Sequence, residues 1–99
     1  MDEDKIALHI GRQIRRSRRL LRWSQGDVGR WVGVTFQQIQ KYECGASRIS
    51  AVCLWRMAEA LEVPIGYFFE GIPRRESLVR ATEPQAADGP PSRLIAPAD

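Results

Sequence analysis

Apolar residues recur through the first part of the chain at the three- and four-residue spacing of helices packed on one side. No alternating run of the kind a half-buried strand needs competes with them. Ile6, Ile10, Ile14 and Leu21 set one stripe and predict a first helix over 6–21, with Arg12, Arg15, Arg16 and Arg19 falling mostly off it. Ser24, followed three residues later by Asp27, has the spacing of a capping box and announces a second helix carrying Val28, Trp31 and Val32. Gly33 stops that helix. Thr35 opens a third, with Gln38 completing another box; Ile39 and Tyr42 face inward, and the helix ends before Gly45. After a loop from Cys44 to Ile49, Ser50 caps a fourth helix on which Leu54, Met57, Ala58 and Leu61 repeat at i, i+3, i+4 and i+7. Pro64 suits the start of a short fifth helix, whose Phe68 and Phe69 are expected to close the core. The fold class expected is all-α, with five helices.

The pattern changes after Gly71. Five of the six prolines lie between Ile72 and Asp99, among scattered charges and few large apolar residues. The chain therefore divides into a helical domain over 6–71 and a flexible tail over 72–99, with a brief helical turn expected at 76–82. Within the domain, only Gly33 and Val34 join the second and third helices. Gly29 lies mid-helix, where glycine costs about 1 kcal/mol relative to alanine, a cost that makes sense if the third helix crosses too closely for a larger side chain. Gly33 can take the positive φ of a sharp reversal. Val28, Val34, Ile39 and Tyr42 can then clamp the two helices at a fixed angle. These are the physical requirements of a helix-turn-helix.

Charge sharpens this picture. The net charge of +3 hides a segregation: from Lys5 to Arg56 there are 11 lysines and arginines against two acids, Asp27 and Glu43. The other ten acids fall in the first four residues or after position 56. A basic half beside an acidic half suits a polyanionic partner, although basic composition alone fits a solvated helix face equally well. No run approaches the roughly 18 apolar residues of a membrane span, and the acidic N-terminus is unlike a signal peptide, so a soluble, cytoplasmic protein is expected. Cys44 and Cys53 are separated by eight residues with no Cys-x-x-Cys pair, which argues against a disulfide scaffold or a zinc site and for ordinary thiols in a reducing compartment. His9 has no second histidine or convergent acids, and no nucleophile–base pair, paired carboxylates or phosphate-cradling loop occurs. No metal, no cofactor and no enzymatic activity are expected. Trp23, Trp31 and Trp55 read as packing residues rather than base-stacking platforms, as does Tyr67. The arginines of the first helix read mainly as a solvated face, with a minority on phosphates.

Residues 6–71 resemble the Cro/repressor-like helix-turn-helix proteins, also called the XRE family. The resemblance rests on Ile10-Gly11, Ile14, Arg18, Trp23-Ser24-Gln25, Val28-Gly29, Gly33-Val34-Thr35, Ile39, Tyr42-Glu43 and Gly45, and continues through Ile49-Ser50, Leu54, Ala58 to Leu61 and Val63. The segments Gly33–Glu43 and Arg48–Ala51 are most similar to alphaproteobacterial regulators. The resemblance implies that Gln25 anchors a phosphate and braces a side chain of the recognition helix. It implies that Thr35, Phe36, Gln37 and Lys41 face the DNA groove, with Gln38 and Gln40 nearer the phosphates, and Arg48 joins this DNA-binding set. Arg18 and Glu43 match the family's structural Arg–Glu pair. The chemistry agrees: glutamine can bond adenine N6 and N7, lysine suits guanine O6 and N7, and phenylalanine can touch a thymine methyl. Three departures stand out. Arg22 replaces the usual helix-ending glycine, Gly26 and Gly29 weaken the second helix, and Cys44 replaces a polar or basic residue beside the DNA backbone.

The function expected is that of a sequence-specific regulator of transcription on double-stranded DNA, a repressor working as a homodimer on a near-palindromic operator. Trp55, Ile65 and Tyr67, on the fourth and fifth helices, are the residues expected to supply the dimer contact. The alternative is an antitoxin-type protein-binding module whose tail folds on a protein partner. An RNA-binding role fits less well, because the third helix suits a B-form major groove.

Overall fold

The computed structural model describes residues 1–73. Four α-helices, α1 (Glu3–Leu20), α2 (Gln25–Val32), α3 (Phe36–Glu43) and α4 (Ala51–Leu61), are followed by a 3-10 helix at Ile65–Phe69. The all-α class stands, with the fifth expected helix realised as a 3-10 turn begun by Pro64. The brief turn expected at 76–82, and all of the expected tail but Ile72 and Pro73, lie outside the described residues.

Helix α1 starts three residues earlier than its apolar stripe indicates. The Asp2 carboxylate accepts from the Lys5 N–H at 2.8 Å, and Glu3 and Asp4 in the first turn and Arg18 and Arg19 in the last complement the helix dipole. On α2 the capping box forms as expected, in both directions: Ser24 Oγ accepts from the Asp27 N–H at 3.0 Å, and Asp27 accepts from the Ser24 N–H at 2.8 Å. The Ser24 backbone N–H, then its hydroxyl, and lastly the Arg30 charge hold the Asp27 carboxyl below its ordinary value. On α3 only half of the expected box forms. Thr35 Oγ1 accepts from the Gln38 N–H at 3.1 Å, while the Gln38 side chain lies against the Tyr42 hydroxyl instead. Burial, followed by the Cys53 thiol, pushes that hydroxyl above its ordinary value.

Each helix is followed by a residue in the left-handed region. Gly33 (φ 82°) and Gly45 (φ 77°) fill this place after α2 and α3, but Arg22 (φ 61°) and Glu62 (φ 60°) fill it after α1 and α4. At those two ends the next residue closes the helix by donating back into it: Trp23 to the Arg18 carbonyl at 3.1 Å and Val63 to the Ala58 carbonyl at 3.1 Å. The first loop thus keeps the left-handed geometry that glycine would give, with arginine in its place.

The core is formed by Ile14 of α1, Val28 and Val32 of α2, Ile39 of α3, Leu54, Met57, Ala58 and Leu61 of α4, and Phe68. Ile10, Leu21, Trp23 and Tyr42 pack around it. Two aromatic expectations need correction. Phe69 is exposed, because a 3-10 turn places successive side chains about 120° apart and only Phe68 points inward. Trp31 is 68% exposed: α2 buries the arc of Val28, Gly29 and Val32, and Trp31 falls outside it. There it stacks on Trp23, with ring centroids 6.1 Å apart and planes 10° from parallel. Two side chains of α1 fasten the 3-10 turn. Gln13 donates to the Tyr67 carbonyl at 2.9 Å, and His9 Nε2 lies 2.6 Å from the Glu70 carbonyl.

Candidate nucleic-acid interface

The turn between α2 and α3 fixes how α3 is presented. A Cβ on Gly29 would stand 2.5 Å from the Val34 carbonyl oxygen and 3.4 Å from the Thr35 carbonyl carbon. The need for glycine therefore comes from the turn and the first residues leading into α3, rather than from the body of that helix crossing above. Gly11 has the tighter approach: its Cβ would meet the Tyr42 carbonyl oxygen at 2.2 Å and that of Glu43 at 2.7 Å. Helix α1 thus lies directly against the C-terminal end of α3.

At that junction the Arg18 guanidinium grips Glu43 in a two-point pair, Nε to Oε2 at 2.6 Å and Nη2 to Oε1 at 3.0 Å. Its remaining arm donates from Nη1 to the Trp23 carbonyl at 2.8 Å. Gln25, the first residue of α2, donates from Nε2 to Glu43 Oε1 at 3.1 Å. The Glu43 side chain is only 4% exposed, so its charge is compensated by Arg18 and Gln25 rather than by water. One buried carboxylate thereby ties together α1, the start of α2 and the end of α3.

With Ile39 and Glu43 buried on one side of α3, Phe36, Gln37, Gln40 and Lys41 lie exposed on the other, and Thr35 stands exposed at the helix start. Phe36 is 51% exposed. Five of the eight residues expected to touch DNA are therefore together on one free surface. Gln25 is half-buried beside it, bracing Glu43. Gln38 is half-buried and turned toward Tyr42, away from the exposed row. Arg48 stands in the loop after α3, where its guanidinium reaches Glu3 at 3.4 Å and Asp4 at 3.2 Å. Both pairs are exposed and so worth little energetically. Between α1 and α3, Arg12, Arg15, Gln25, Gln40 and Cys44 line a groove of about 360 Å³. Among the arginines of α1, sequence reasoning does not single out the two that reach this groove; their helical register relative to Gly11 and Arg18 is the available signal. Among the described residues no group of three or more histidines, cysteines or acids is placed to hold a metal ion.

A three-residue turn, Gly33 to Thr35, a second helix clamped under a third and a polar face left free on the third define a helix-turn-helix protein. The helix-turn-helix domain model matches residues 9–66. An HTH-type transcriptional regulator of Sinorhizobium fredii is 42% identical over 86 residues, covering 87% of this chain and 60% of that one. A transcriptional regulator in the ATPase CF(0) region of Rhodospirillum rubrum is 49% identical over 77 residues, covering 74% and 71%. The match thus takes in 60% of the Sinorhizobium protein's length. Among solved structures, the restriction-modification controller protein C.AhdI of Aeromonas hydrophila superposes with a TM-score of 0.61 at 22% identity, covering 64% of this chain and 96% of that one. An HTH_3 family transcriptional regulator of Vibrio cholerae gives 0.64 at 22% identity, covering 86% and 42%; at such identities the likeness is one of fold. The chain belongs to the helix-turn-helix domain family, and within it to the XRE-like regulators of transcription.

Proposed function

We propose that this transcriptional regulator binds duplex DNA sequence-specifically by laying α3 in the major groove, and that it acts as a homodimer on a near-palindromic operator, repressing by occlusion. The observation that carries this reading is the division of labour on α3. Ile39 and Glu43 hold the helix in place, whereas Phe36, Gln37, Gln40 and Lys41 have no structural duty and face outward together. Gln37 has the donor–acceptor pair that adenine matches, Lys41 the cation that guanine O6 and N7 accept, and Thr35 and Phe36 apolar surface for a thymine methyl. Gln25, Gln40 and Arg48 are assigned to phosphates at the edges of this row, where contacts set register rather than sequence, and Gln38 joins them only by exchanging Tyr42 for a phosphate. For Arg48 this means exchanging Glu3 and Asp4 for a phosphate, which costs little because those pairs are solvated. A cytoplasmic location follows from the partner; no helix among the described residues is long and apolar enough to cross a membrane.

Dimerisation is supported by apolar surface that the core leaves uncovered. Val52 (67%) and Trp55 (58%) on α4 are exposed, as are Ile65 and Phe69 on the 3-10 turn. Trp55 and Ile65 are the residues expected there; Tyr67 is instead half-buried, and Phe69 takes its place. A two-fold pair would set half-sites about one helical turn apart. Titrating one half-site against the full inverted repeat tests this: the repeat should bind far more tightly, and Trp55→Glu should abolish the difference. Equal affinity for half-site and repeat would count against a dimer.

A further inference from the structure

We propose that α1 is a second DNA-contacting element, with Arg12 and Arg15 binding the phosphate backbone alongside α3. This rests on the reading that α3 lies on duplex DNA, and extends the contact surface to a helix outside the helix-turn-helix.

The two arginines share one groove with Gln25, Gln40 and Cys44. Gln25 and Gln40 flank the row that faces the bases, so a strand passing them runs along this groove. Cys44 is exposed there, and a neutral thiol gives a phosphate no charge and only a weak donor. Arg12 and Arg15 bring two cations to the same place. Their charges are also free. Arg18 is held by Glu43, Arg30 by Asp27 and Arg48 by Glu3 and Asp4, whereas among the described residues neither Arg12 nor Arg15 lies within ion-pair distance of a carboxylate. Glu43, the acid that lines this groove, already has both oxygens occupied by Arg18 and Gln25.

The spacing supports the same partner. Arg12, Arg15, Arg16 and Arg19 stand at i, i+3, i+4 and i+7 and surround a second, adjoining hollow. Like charges at these spacings repel and destabilise a helix, so the cluster opposes folding until a polyanion neutralises it. Three residues apart, Arg12 and Arg15 share one face of α1, so their long side chains can reach phosphates of one strand. Such contacts raise affinity for every sequence alike and leave base preference to α3.

The test uses the full chain and two duplexes, one carrying a site enriched from random sequence and one with that site scrambled, titrated across salt concentrations. Replacing Arg12 and Arg15 together by alanine should reduce the slope of log affinity against log salt by about 0.9 for each phosphate no longer neutralised, which is about 1.8 per protomer and about 3.6 for a bound dimer. The reduction should be the same on both duplexes, with the thermal midpoint unchanged or raised. The double lysine variant should keep the parent slope. Arg30→Ala, which removes a cation from a separate groove beside Trp23 and Trp31, should leave the slope as it was. A double alanine variant with the parent slope, or a reduction confined to the enriched site, would overturn the proposal. Parent protein that binds neither duplex would overturn the DNA-binding reading itself and this extension with it, whereas parent binding with an unmoved slope removes the extension alone.

Discussion

Glu43 is the residue on which the presentation of α3 depends most directly. Its carboxylate accepts from Arg18 at two points and from Gln25 at a third, in a site nearly closed to water. Removing the acid alone strands a guanidinium in that site, which costs on the order of 3–5 kcal/mol where such a pair is fully buried. Arg18 keeps its bond to the Trp23 carbonyl and its side chain is 11% exposed, so Glu43→Ala should fall at or below the lower end of that range. Urea unfolding without DNA measures it, and a midpoint equal to the parent's would show the pair to be ornamental. Arg18 and Glu43 are legible through the family resemblance. The Gln25 brace is legible from the same source, but the third Arg18 bond, to the Trp23 carbonyl, is not, because a backbone acceptor leaves no mark in the sequence. Gly11 is visible there only as a matching residue; that it admits two backbone carbonyls is a fact of packing between helices distant in sequence.

At the scale of elements, caps and stops are readable where the side chain does the work. Ser24 with Asp27, Thr35 and Ser50 all cap as expected, and Gly33 and Gly45 mark the ends of α2 and α3. Arg22 and Glu62 adopt the same left-handed conformation without its usual residue, because the tertiary fold demands the turn whatever occupies it. The start of α1 escapes the apolar pattern for a different reason. Asp2, Glu3 and Asp4 stand out for their charge, whereas Asp2 is a cap and its neighbours sit favourably against the helix dipole. Non-glycine residues in the left-handed region cost about 1–2 kcal/mol, partly offset by the greater backbone freedom glycine loses on folding. Arg22→Gly and Glu62→Gly should therefore each stabilise the protein, by up to about 1 kcal/mol. Thermal melts of the two variants check this, and a lowered midpoint in both would mean that the side chains make contacts outweighing the strain.

For the molecule as a whole, periodicity carries the class of fold and the core of α4, while the fate of the aromatic residues depends on geometry that periodicity does not contain. Trp31 and Phe69 are apolar by type yet exposed, Trp31 because the buried arc of α2 is narrow and Phe69 through the tighter winding of the 3-10 turn. The same limit applies to Gln38. Its capping-box spacing is right, but Tyr42 competes for its side chain. What unites the molecule is the use of α1, α2 and the α2–α3 turn to hold one short helix with its polar face outward, the face proposed to read bases. Selecting bound fragments from a pool of random duplexes, with the parent and with Gln37→Ala and Lys41→Ala, tests that reading most directly. The parent should enrich one inverted motif, and each variant should stay folded, lose about 1–3 kcal/mol on that motif and relax its preference at a single base step. Enrichment of no motif by the parent, or an unchanged motif and affinity in both variants, would contradict it.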